Sequence, residues 1–94
     1  MMYVINYDLN QLLHNYQPLF EEIQNLGGPW WKYMDRTWIV ATHLSVQEVT
    51  DRLTKHLSDP DRLLIVRLTS PYNGWLSQEA WDWIHQTYPQ WGYY

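Results

Sequence analysis

Segments that alternate with period two and segments that recur with helical spacing follow one another from Met2 to Leu68 as strand, helix, hairpin, helix, strand. Few folds accept that order. Tyr3, Ile5 and Tyr7 alternate with Val4, Asn6 and Asp8, and the β-branched and aromatic residues of this run suit a pleated surface. A polar loop follows Asp8 and Asn10. Tyr16, Leu19, Phe20, Ile23 and Leu26 then recur as on one helix face, with Pro18 in the first turn and Gly27 and Gly28 as the stop. Trp30 to Met34 and Thr37 to Thr42 are β-prone runs parted by Asp35 and Arg36, the spacing of a hairpin, although Asp-Arg lacks the glycine that tight hairpins prefer. Ser45 stands three residues before Glu48, the capping-box spacing, and Val46, Val49, Leu53 and Leu57 form a stripe behind it. The turn Ser58-Asp59-Pro60-Asp61 ends that helix, and Arg62 to Leu68 is almost continuously apolar, the mark of a strand covered on both faces.

This order is the split βαβ pattern, and right-handed crossovers place both helices on one face of a four-stranded antiparallel sheet. The fold class expected is α+β, a ferredoxin-like βαββαβ domain. The second sheet face needs a cover, either a second subunit or the C-terminal region folded back. That region opens at Thr69-Ser70-Pro71 and continues through Tyr72-Asn73-Gly74 to Ser77, a plausible N-cap. A third helix is expected to follow, with Ala80, Trp81, Ile84 and Tyr88 on one face, Trp83 pointing elsewhere, and Pro89 as its end. The 94 residues thus read as one domain, a core over 1–68 plus a Trp-rich C-terminal helix and tail over 69–94.

Seven Trp and eight Tyr are more than so small a core encloses, so several rings belong at a surface, a pocket or a subunit contact. Self-association is therefore expected, as a homodimer or a higher homo-oligomer, with Trp83, Trp91, Tyr93 and Tyr94 as its contacts. Zero cysteines exclude a disulfide scaffold and a thiol nucleophile and fit a reducing cytoplasm. The opening apolar run is too short for a signal-peptide core or a membrane span, so a cytoplasmic protein without membrane contact is expected. A net charge of -4 with no basic block argues against long duplex nucleic acid and leaves room for a small anionic ligand. His14, His43, His56 and His85 lie on separate elements without metal-ligand spacing, and neither a nucleophile elbow nor a glycine-rich phosphate loop is present.

Tyr3-Val4-Ile5-Asn6-Tyr7-Asp8 and the order of elements through Leu68 resemble the small CRISPR-associated ferredoxin-like nuclease and spacer-adaptation family and its virulence-associated D-type relatives. The chain is also similar to small bacterial and phage proteins that carry a Tyr-Asp-Leu-Asn strand end, a Trp-Trp segment, a Thr-Trp-Ile-Val strand and a Trp-rich late helix. Here these are Tyr7 to Asn10, Trp30-Trp31, Thr37 to Val40 and Trp81-Asp82-Trp83. The nuclease resemblance implies a homodimer in which Asp8 meets its twin and holds a divalent metal, Mg2+, for endonuclease catalysis. The sparse basic residues and the Trp-rich final third depart from that family.

A non-catalytic reading is preferred: a homo-oligomeric protein that holds a nucleotide or short oligonucleotide in aromatic pockets near subunit contacts and requires no cofactor. Tyr7, Asn10, Trp30, Trp31, Arg36, Trp38 and Arg67 are its expected ligand-binding residues, rings for stacking and cations for phosphate. The likeness to phage proteins suggests sequestration of a nucleotide signal of host defence. The alternatives are the Asp8 endonuclease and a protein-interaction module such as an inhibitor or antitoxin. For the aromatic hairpin, the competing expectation is a sheet surface covered by packing.

Overall fold

The computed structural model describes residues 1–92. Strand β1 (Met2–Asp8) is followed by helix α1 (Gln17–Gln24), the hairpin β2 (Trp30–Met34) and β3 (Thr37–Ala41), helix α2 (Val46–Thr54), strand β4 (Arg62–Arg67) and helix α3 (Gln78–Trp91). The strands form one antiparallel sheet in the order β2-β3-β1-β4, the ferredoxin-like arrangement with an added C-terminal helix.

Local chemistry accounts for each boundary. Pro18 occupies the first turn of α1, and Gly27, at φ 105, lets the chain leave the helix in a left-handed conformation. At Gly28 a Cβ would run into the Ala41 carbonyl oxygen, so the approach of this turn to β3 requires glycine. Ser45 closes a full capping box on α2: its Oγ accepts from the Glu48 N–H, and the Glu48 carboxylate accepts from the Ser45 N–H, each at 3.1 Å. Neither Asp35 nor Arg36 has a positive φ, and β2 takes up the mismatch with a register shift between Trp31 and Met34. Pro89 lies inside α3 instead of ending it, because it removes only its own N–H while Gly92 N–H still reaches the Tyr88 carbonyl at 2.7 Å.

Alternate residues of the sheet serve two cores. Tyr3, Ile5, Tyr7, Trp38 and Val40 pack beneath α1 and α2, against Leu19, Ile23, Val49 and Leu53. Met2, Trp31, Ile39 and Ala41 pack on the opposite face against Ala80, Ile84 and Tyr88 of α3. Of the two covers expected for that face, the folded-back C-terminal helix is therefore one. Trp83 does not point away: it packs, partly buried, against this second cluster.

The cover is incomplete. Val66 and Leu64 of β4 pair with Val4 and Asn6 of β1, on the α3 side, and remain 50% and 62% exposed. The apolar run of β4 thus belongs to an edge strand with one bare face. Leu63 and Ile65, which point the other way, pack against the first core.

The loop after β1 is also less polar than its sequence suggested. Leu12 and Leu13 form its fully exposed tip, Leu13 at φ 66, a left-handed conformation costly for a branched side chain. Asp61 holds the base. Its carboxylate accepts from Tyr16 Oη (2.6 Å), Asn10 N (2.8 Å), Gln11 Nε2 (2.5 Å) and Ser58 N (3.4 Å). Burial alone would raise the carboxyl, but these hydrogen bonds outweigh it and hold Asp61 at about 2.

A depressed carboxyl stabilises the fold above its unfolded value of 3.8 and loses that contribution as the pH falls through about 2. Asp61→Asn is expected to cost about 2 kcal/mol, the scale of hydrogen bonds to a charged acceptor. It should also flatten the acid limb of stability between pH 4 and 2, read from thermal unfolding across that range.

Candidate functional site

The aromatic hairpin divides between the two faces. Trp38 is 2% exposed in the first core, where its Nε1 donates to Tyr7 Oη at 3.0 Å. Burial pushes the Tyr7 phenol up, partly opposed by that hydrogen bond. Phe20 packs 6.0 Å from the Tyr7 ring and 6.2 Å from the Trp38 ring. Trp30 lies 5.3 Å from Trp38 and keeps one side open to solvent, while Lys32 Nζ stands 5.6 Å from the Trp38 centroid. Trp31 points to the other face, as strand alternation requires, and is also 2% exposed beneath α3. Its Nε1 is buried with no hydrogen-bond partner among the described residues.

The cations expected beside these rings are elsewhere. Trp30, Val40, Tyr3 and Arg67 form one row across the sheet, so Trp30 and Arg67 stand on opposite edges, three interstrand spacings of about 4.8 Å apart. Arg36 is in the hairpin turn and pairs with Asp8 at 3.4 Å, both side chains largely in water. Arg62, opposite Asp8 in the β1–β4 register, turns to Asp59 Oδ1 (3.2 Å) and the Asp61 carbonyl (2.8 Å). Asn10 donates its amide to the Asp8 and Pro60 carbonyls. Within one copy, then, Asp8 faces a guanidinium, and a metal held there would compete with Arg36 for the same oxygens.

Of the expected contact residues, Trp91 packs against the second core with its ring 4.7 Å from His43. Tyr93 and Tyr94 lie outside the described residues.

Among the described residues, two clefts larger than the one of about 130 Å³ beside Asp8 are open to a small molecule. One, of about 250 Å³, lies between the start of α1 and the end of α2 and is lined by polar groups, among them His14, Asn15, Lys55 and His56. Beside it Glu22 accepts from His56 Nε2 at 3.2 Å and is held below the usual carboxylate range chiefly by that contact. The other, of about 350 Å³, runs between α3 and the loop before it, lined by Tyr72, Asn73, Gln78, Trp81 and His85.

The α3 groove has the better chemistry for recognition. Gln78, Trp81 and His85 recur along one helix flank, and the Trp81 and His85 rings stack at 5.8 Å and 24°. Tyr72 supplies a ring from the loop and packs 5.2 Å from Tyr88, whose hydroxyl accepts from Ser70 N–H. Gln78 donates one Nε2 hydrogen to Asp82 at 2.8 Å, which leaves its carbonyl oxygen and second N–H to offer a ligand. Ser77 caps the helix through the Ala80 N–H and so fixes where this flank begins.

Comparison with protein-family models, with curated proteins and with solved structures finds no match. Among the described residues no helix is long and apolar enough to cross a membrane. Sequence reasoning passed over this groove, since Tyr72-Asn73-Gly74 reads as a break and Trp81 as a core position. The available signal was the i, i+3, i+7 spacing of Gln78, Trp81 and His85 on the edge of the buried stripe.

The two buried tryptophans respond differently to loss of the indole N–H. Trp31→Phe removes an unsatisfied donor and should leave the Tm unchanged or raise it. Trp38→Phe strands the buried Tyr7 hydroxyl and should lower stability by about 1–3 kcal/mol, in parallel denaturant melts.

Proposed function

We propose that this domain is a non-catalytic binding protein which works as an assembly of identical copies and holds a nucleobase-bearing small ligand, a nucleotide or short oligonucleotide, in the α3 groove. The observation that carries the reading is the groove itself: stacked Trp81 and His85, a tyrosine from the facing loop, and the amides of Asn73 and Gln78. A planar heterocycle gains from both chemistries, stacking on the rings and edge hydrogen bonds from the amides. Among the described residues no lysine or arginine lines the groove, and Glu79 and Asp82 flank it on α3. The base and sugar therefore bind there, with any phosphate turned outward. Holding such a ligand without transforming it suits sequestration.

A second reading, a protein-interaction module, is favoured by Leu12 and Leu13. They form an apolar tip presented on a loop that Asp61 fixes from below.

Titration of the chain with adenosine, guanosine, uridine, their monophosphates and a short oligonucleotide, followed by tryptophan fluorescence, tests the first reading. One of these should bind saturably and be recovered unchanged. Trp81→Ala should weaken it about tenfold or more, given roughly 1–3 kcal/mol per stacked base. Absence of saturable binding by every ligand in the series overturns the proposal.

A further inference from the structure

We propose that β4 is the joint between two copies, pairing antiparallel with the partner's β4 across a twofold axis normal to the sheet. The proposal rests on the self-association of the reading above and is independent of its ligand.

The two edges of the sheet are built differently. On β2, Lys32 sits in mid-strand and the register slips between Trp31 and Met34, devices that discourage pairing. On β4, six consecutive residues pair with β1 without a shift, and Leu63-Leu64-Ile65-Val66 carries neither charge nor proline. Leu68 N–H donates to the Met2 carbonyl at 2.8 Å. By the two-residue period, 62, 64 and 66 also bond toward β1, and 63, 65 and 67 present their N–H and C=O groups outward.

A twofold normal to the sheet keeps each face on its own side, so facing residues must both be odd or both be even. Arg62 and Arg67 are five positions apart. No such register sets them opposite each other. Centring the pairing on Leu64 sets Leu63 against the partner's Ile65, both with outward backbone groups. Leu64 then meets the partner's Leu64 on the bare side of the sheet. The same register sets Arg67 at the partner's Asp59–Asp61 turn, a charge match at both ends of the joint, where the Asp59 side chain is almost fully exposed.

The joint also accounts for the bare half of the sheet. Each four-stranded sheet continues into its twin. The uncovered strips of Leu64 and Val66, bordered by the partly buried Val4, then lie side by side, between the two α3 helices, as one apolar floor.

Sedimentation velocity and light scattering on the full chain, without ligand and across a micromolar range, test the joint. The expected mass is twice 11.5 kDa. Leu64→Glu, at an exposed position, places two carboxylates face to face and should give a folded monomer by circular dichroism. Arg67→Pro, at an exposed position, removes an outward N–H and the charge match and should do the same. Met34→Glu, at an exposed position of β2 on the opposite edge of the sheet, should leave the dimer intact. Hydrogen exchange supplies a local readout: the Leu63 and Ile65 amides should be protected in the wild type and exchange in Leu64→Glu, while the Val66 amide stays protected in both. A wild-type monomer throughout the range, or a dimer that survives both β4 substitutions, overturns the proposal. A monomer that binds a nucleoside removes the joint and the self-association but leaves the ligand, and a dimer that binds none removes the ligand alone.

Discussion

Both cores are hung on β1. Its odd residues, Tyr3, Ile5 and Tyr7, enter the layer under α1 and α2, and Met2 enters the layer under α3. A strand that feeds a core on each face and is paired on both edges tolerates no slip, because a shift of one residue would exchange its two sets of side chains. The capping box that starts α2, the glycines that turn the chain into β2 and the hydrogen bonds of Asp61 all set elements against that register. Polarity rises toward the far end of the strand, where Asn6 bonds Thr37 at 2.7 Å and Asp8 pairs with Arg36. It rises where α3 no longer covers the sheet.

Much of this architecture was legible because it is encoded locally. Period-two alternation, a proline in a first turn, a glycine stop and a Ser-x-x-Glu box each act within a few residues, and each stands where the sequence set it. What escaped depends on distance. The apolar run of β4 suggested cover on both faces, yet whether a strand is central or at an edge is decided by its neighbours. The extent of cover by α3 is likewise a matter of helix placement. Leu12 and Leu13 were hidden among Asn, Gln and His, and their exposure follows from a carboxylate more than forty residues away in the chain.

The candidate site divides along the same line. Clustering of Trp30, Trp31 and Trp38 on a hairpin was readable, and so was the opposition of the first two across the strand. Their burial was not, since a ring suited to stacking a base is equally suited to stacking Phe20 or a helix. The α3 groove takes its rings from a helix flank and a loop that only tertiary structure sets beside each other. Composition announced a surplus of aromatics without saying which were surplus.

The placement of β1 also bears on the chain's synthesis. Its sheet neighbours, β3 and β4, and its two cores are all completed by segments that leave the ribosome after it. β1 therefore keeps one edge unpaired until Arg62 to Arg67 have emerged, and its second face bare until α3 follows. The second core closes only when α3, the last of the described elements, has docked on the sheet.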